Sequence, residues 1–171
     1  MSDNLSLSQG LTVALSSGEW AEGTNANTVK STATVTYTID GRFYSKSATD
    51  NIAISYSGPS VYQAAAGGVQ SVNGSFTGGV NGSTRIYLIC LDTAGAVSIV
   101  PGPIVNSADL AAGRASFQFP DDPIGVCPTA DLRIALTAGT TFTPGSTDLS
   151  ASGVTATFYN LADVPANPLT A

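Results

Sequence analysis

The residues best suited to acid–base or metal chemistry in this chain are its aspartates. Asp109, the adjacent pair Asp121-Asp122, Asp131 and Asp148 could in principle supply a calcium site or the two carboxylates of a glycosidase-like centre. A plainer reading competes with this one. Asp121-Asp122-Pro123 and Asp148 have the character of turn residues, where an aspartate hydrogen-bonds its own backbone. There is no histidine anywhere in the 171 residues. Ser-His-Asp and Cys-His nucleophile pairs are thereby removed, as is imidazole acid–base catalysis. Lys30 and Lys46 lie in no recognisable Ser-Lys context, and no phosphate-binding glycine loop or nucleophile elbow occurs in a strand-to-helix setting. The sequence therefore reads as non-enzymatic, with no cofactor and no metal.

Other chemistry-bearing residues are few. Cys90 and Cys127 are too sparse for a zinc site and read as buried small hydrophobes rather than a disulfide. Three glycosylation-like sequons begin at Asn4, Asn73 and Asn81, and the Asn-Gly in the last two is explained by turn formation. Trp20, with Tyr56 and Tyr62, could form a sugar-stacking platform, against which stand ordinary packing and a role as an intersubunit anchor.

Composition narrows the partners. Charged residues are only 11% of the chain, about half the usual share, so Ser, Thr, Asn and Gly must provide the polar surface. The net charge is −6, and the six cations Lys30, Arg42, Lys46, Arg85, Arg114 and Arg133 form no cluster. Binding to nucleic acid or to an anionic membrane needs grouped cations and is not expected. No apolar run approaches the roughly 20 residues of a spanning helix, and the first residues lack the basic and apolar regions of a secretory signal. The chain reads as soluble.

The elements that would position any site are mostly strands. Residues 1–28 alternate Leu5, Leu7, Leu11, Val13 and Leu15 with small polar residues, which suits an outer strand or an arm, and residues 18–25 read as a loop. Alternating β-formers on both sides of Asp40-Gly41 predict a hairpin. A two-residue loop would pair Tyr37 with Tyr44, and a three-residue loop Ile39 with Phe43. The glycine-rich residues 64–83 fit either short strands joined by turns or one exposed loop. Residues 85–91 are apolar on both faces and predict a central strand. It turns at Asp92-Thr93-Ala94-Gly95 into a second strand ended by Pro101 and Pro103. A short helix is expected within residues 105–114, and further strands at 116–119, 124–127, 131–137 and 154–160. The fold class that follows is all-β, a β-sandwich or barrel-like domain of many short antiparallel strands with extended terminal arms. Residues 29–161 form the domain, and 162–171 form a proline-extended tail.

Two stretches carry a resemblance. One is Thr28-Val29-Lys30-Ser31 leading into Tyr37-Thr38-Ile39-Asp40-Gly41-Arg42-Phe43-Tyr44 and on to Ala53. The other is Phe142-Thr143-Pro144-Gly145-Ser146-Thr147-Asp148-Leu149 and on to Leu161, with the hairpin around Asp92 between them. Across most of residues 28–161 the chain resembles small structural proteins of tailed-bacteriophage virions, in particular capsid cement, or decoration, proteins. The glycine-rich stretch and the longer amino terminus depart from that pattern. The resemblance implies a virion location on the outer surface of the capsid, with the major capsid protein as partner. It also implies self-association as a homotrimer at three-fold positions, and no active site.

Candidate interface residues are the apolar ones near the two ends: Leu5, Leu7, Leu11, Val13, Trp20, Leu161, Val164 and Leu169. The alternative function is a receptor- or glycan-binding module of a phage tail fibre or head fibre. Further off stand a secreted β-sandwich enzyme working through paired aspartates and a bacterial surface or pilus subunit.

Overall fold

The computed structural model describes residues 11–56, 74–117, 119–120 and 124–162, and the backbone of 62–65 and 68–71. Nearly every element is a strand, paired antiparallel throughout. Strands β1 (Val13–Ala14), β4 (Val35–Ile39) and β5 (Arg42–Lys46) form one sheet in the order β1-β4-β5. A second sheet joins β2 (Trp20–Glu22), β3 (Thr28–Ser31) and β6 (Thr49–Ala53). Two short ladders pair β7 (Tyr62–Ala65) with β8 (Gly68–Ser71), and β9 (Phe76–Thr77) with β13 (Thr141–Phe142). The principal sheet has the order β11-β10-β12-β14, from β10 (Ser83–Asp92), β11 (Val97–Asn106), β12 (Val126–Leu136) and β14 (Val154–Asn160). Among the described residues one short helix, α1 (Ser107–Ala111), follows β11. The result is an all-β, sandwich-like domain.

The central strand is β10, as the two-sided apolar run requires: it is flanked by β11 and β12 and is buried over residues 83–91. Its alternation divides the interior. Tyr87, Ile89 and Leu91 join the main core with Leu132, Ile134, Val35, Tyr37 and Trp20, whereas Leu88 and Cys90 form a smaller cluster with Val100 on the opposite face. Burying an Ile or Leu of this kind contributes about 1.5–3 kcal/mol. Cys127, beside Leu91, belongs to the main core, so the two buried cysteines face opposite sides of the sheet.

The Asp40-Gly41 hairpin takes the two-residue loop. Both loop residues have positive φ, 51° and 74°, and Tyr37 pairs with Tyr44, their rings stacked at 5.7 Å. The cost of placing Arg42 and Lys46 on the apolar side is small because β5 is an edge strand, where long side chains reach solvent. The Asp92 turn forms as expected, with the carboxylate Oδ1 accepting the N–H of Ala94 and of Ala96, both at 2.8 Å. At α1 the side-chain oxygen of Asn106 accepts from the N–H of Ala108 and of Asp109, an N-cap.

Four expectations need correction. First, β11 does not end at Pro101 but runs through both prolines. It is an edge strand with an extra residue between Pro101 and Ile104, opposite Tyr87 and Arg85, and a bulged edge tolerates missing N–H groups. Second, the two strands expected at 124–127 and 131–137 are one strand, β12 (Val126–Leu136), which begins after a turn at 124–125. Pro128 lies beyond the β14 ladder, which starts at Ala130, and Thr129 is the extra residue of a bulge, its hydroxyl donating to the Ile89 carbonyl at 3.1 Å. Third, residues 116, 117 and 119 form no ladder. Fourth, the loop expected at residues 18–25 contains β2. Trp20 pairs with Ser31 and turns inward over Gly18, where an added Cβ would lie 2.7 Å from the indole nitrogen and 2.6 Å from Val35 Cγ2. Of residues 1–28, Val13–Ala14 and Trp20–Glu22 are short edge strands of two different sheets. The glycine-rich stretch holds short strands, β7, β8 and β9. Residues 1–10 and 163–171, where extended arms were expected, lie outside the described residues.

Candidate functional site

Two buried polar clusters lie on opposite sides of the principal sheet. The first surrounds Arg85, which opens the apolar run of β10 and is fully buried. The bulge in β11 leaves a carbonyl without a ladder partner, and Arg85 meets it: Nε donates to Gly102 O at 2.9 Å. Nη1 donates to Gly74 O at 3.1 Å and, at 3.4 Å, to the Tyr87 hydroxyl. The guanidinium lies 4.9 Å from the Tyr87 ring centroid and 5.7 Å from that of Phe76. Among the described residues Nη2 finds no hydrogen-bond partner. Burial pulls the Arg85 pKa down and pushes the Tyr87 hydroxyl up to about 12, against the opposing pull of the neighbouring guanidinium. Tyr87 is therefore neutral at physiological pH and in no position to act as a base.

The second cluster lies on the other face, at Asp131 and Arg133. Residues two apart on a strand share a face, so the Asp131-Leu132-Arg133 spacing sets the pair side by side. Asp131 Oδ2 accepts from Arg133 Nη2 at 3.1 Å and from Nε at 3.3 Å, while Oδ1 is buried without a partner. The Arg133 guanidinium lies 4.0 Å from the Tyr159 ring centroid and 4.6 Å from that of Phe117. Burial raises the Asp131 pKa, and the hydrogen bonds and charge of Arg133 partly hold it down. Here the segment after α1, which forms no strand, finds its role: Phe117 covers the ion pair.

Among the described residues the aspartates weighed as a possible carboxylate site are not brought together. Asp109 pairs with Arg114 at 3.0 Å on the surface. Asp148 is exposed, and its carbonyl accepts from Ala151 N in a turn. Asp131 is engaged with Arg133, so no two of these aspartates share a partner, and Asp121 and Asp122 lie outside the described residues. Among the described residues no three His, Cys, Asp or Glu side chains are grouped to hold a metal ion.

The interface candidates separate. Trp20 is a core residue, 4% exposed, and is corrected from interface anchor to packing. Its removal from the surface also takes away the anchor of a sugar-stacking platform. Tyr56 is half-buried against the smaller cluster, and the Tyr62 side chain lies outside the description. Leu11 is 70% exposed, Val13 is half-buried in β1, and Leu161 is exposed just after β14. Leu5, Leu7, Val164 and Leu169 lie outside the described residues.

Reading the sequence for chemistry missed Arg85, the one fully buried cation. Its signal was available: a lone arginine beginning a strand buried on both faces, opposite two prolines. Comparison with known proteins finds no family model that matches the chain, no similar curated protein and no similar solved structure.

Proposed function

We propose that this chain is a non-enzymatic structural subunit of a tailed-phage virion. In this reading it is a capsid cement protein that binds the major capsid protein on the outer surface of the head, as a homotrimer, and stabilises it. The phage assignment rests on the resemblance carried by residues 28–161. The observation that supports a binding role is the surface itself. Leu11, Leu15, Phe43, Val80, Phe119 and Ile124 are large apolar side chains left exposed on a chain with only 11% charged residues. Each would gain free energy if another protein covered it, and the scarcity of charge lowers the desolvation cost of covering them. The charges that are buried serve the fold: Arg85 ties β10 to the β11 bulge, and Arg133 neutralises Asp131. A cement subunit has to bury area between coat subunits and needs no chemistry to do so.

The test uses heads from a phage lacking the gene. Added purified protein is expected to bind them saturably and to raise the temperature at which they release DNA. Heads that neither bind the protein nor gain heat resistance would refute the assignment.

A further inference from the structure

Strands β11 and β12 both pair antiparallel with β10, so they run in the same direction, and the connection between them has to return along the principal sheet. It leaves β11 at Asn106, opposite Ser83, and enters β12 at Val126, opposite Asp92, a return of about 30 Å. Phe117 lies on this connection, at the face where Leu88, Asp131 and Tyr159 form one row across β10, β12 and β14. There the Arg133 guanidinium has two rings against it, Tyr159 at 4.0 Å and Phe117 at 4.6 Å. The arrangement keeps the cation at the surface and the anion dry. Arg133 retains 27% of its side-chain exposure, whereas Asp131 is 0% exposed. Asp131 Oδ2 takes both bonds that Arg133 offers, and among the described residues Oδ1 finds no partner.

We propose that Phe117 is a pH-sensitive cover over the Asp131–Arg133 pair, closed when Asp131 is protonated and loosened when it is ionised. Burial raises the proton affinity of this carboxyl, and Phe117 completes the burial. A ligand that closure helps to bind must help closure in return, by the same factor, and here the ligand is a proton. With Phe117 lifted, water reaches Oδ1 and the carboxyl titrates near its ordinary value, about 4. With Phe117 down it titrates higher. Closure is therefore strongest below the open-state value, weakens by about tenfold for each pH unit up to the closed-state value, and is constant above it. The cation acts in the same direction. Once Asp131 is neutral, the guanidinium has lost its counter-charge, and the two rings become its remaining electrostatic partners.

Among the described residues Arg133 is the one charged group that bears on Asp131. From β10 the row brings Leu88, from β14 the Tyr159 ring, and Arg114 after α1 is paired with Asp109 instead. Asp121 and Asp122, further along the connection, lie outside the described residues, and an Asp131→Asn variant separates any effect of theirs. The cover is separate from any capsid contact and stands whether or not the protein belongs to a virion.

The test reads both sides of the linkage in the full chain. Phe117 is half-buried and outside every strand, so its replacement spares the core, which a circular dichroism melt checks. Carboxyl-carbon NMR follows the titration of Asp131 in wild type, Phe117→Ala and Phe117→Leu. Wild-type Asp131 is expected to titrate above the ordinary value of about 4, and Phe117→Ala to lower its proton affinity by about tenfold. Phe117→Leu, which still covers the carboxyl, is expected to keep most of the rise. A fluorine label on the Phe117 ring reports the cover itself. Its signal is expected to move with pH through the Asp131 titration and to stay still in Asp131→Asn. An Asp131 titration that Phe117→Ala leaves unchanged would overturn the proposal. So would a fluorine signal indifferent to pH, or one whose response persists in Asp131→Asn.

Discussion

Arg85→Ala is expected to lower the unfolding free energy by ~3–5 kcal/mol, the range for removing a partner from a buried charged network or a large side chain from a core. In a chain of this length that is a fall in Tm of roughly 10 °C. The loss has two sources. Truncation leaves a void against Phe76 and Tyr87, and it strips the Gly102 and Gly74 carbonyls of their donor. The Gly102 carbonyl belongs to the bulge that lets β11 carry its prolines, so the lesion reaches the edge of the principal sheet. Arg85→Met separates the two sources. It fills much of the volume and removes a buried charge that burial already penalises, leaving only the unpaired carbonyls, so a cost of ~1–2 kcal/mol is expected. Urea melts of the three proteins should rank wild type above Arg85→Met above Arg85→Ala. A silent Arg85→Ala would mean that the guanidinium does not hold the bulge.

The second large effect depends on pH. Arg133→Met leaves the Asp131 carboxylate buried without its cation and is expected to cost ~3 kcal/mol at pH 7. The folded-state pKa of Asp131 is already raised by burial, with Arg133 opposing. A carboxyl with a raised folded pKa contributes stability that is fully present below its unfolded pKa, about 4, and is lost as pH rises through the folded value. Removing Arg133 raises that folded value further and widens the window. The stability difference between wild type and Arg133→Met should therefore shrink as pH falls through the raised folded pKa of Asp131, below which the carboxyl is protonated and carries no charge. Asp131→Asn combined with Arg133→Met should recover most of the loss at pH 7 and be insensitive to pH in the same comparison. Denaturant melts at several pH values provide the measurement. A difference that stays constant with pH would place the cost in the lost stacking on Tyr159 and Phe117 instead.

These two clusters also mark where the sequence was legible and where it was not. Local signals with a single physical solution were read correctly. Asp40-Gly41 can hardly be anything but a tight hairpin, the run from Ile86 to Leu91 has no polar side to offer solvent, and Asn106 before Ser107 caps a helix. What local signals missed was set by neighbours. Whether Pro101, Pro103 and Pro128 end a strand depends on which side of each has a partner, and that is a property of the sheet order. Trp20 looked like a loop residue because Gly18, Glu19 and Glu22 surround it, yet β3 and Gly18 together give its ring a place in the core. Arg85 was counted only among six unclustered cations, because nothing in sequence shows that a bulge carbonyl will face it. Asp131 was weighed only with other carboxylates, and neither its pairing with Arg133 two residues on nor its burial under Phe117 was read from the sequence. Of the interface candidates, Leu11 and Leu161 are exposed and Trp20 is buried.

The most direct test of the account is where the protein sits in the particle. If the proposal holds and a phage encodes the chain, its virions can be disrupted, heads and tails separated on a density gradient, and both fractions probed with an antibody raised against the purified chain. A cement subunit is expected in the heads, accessible to the antibody on intact particles by electron microscopy, and absent from the tails. Its absence from purified virions, or its confinement to the tail fraction, would contradict the account.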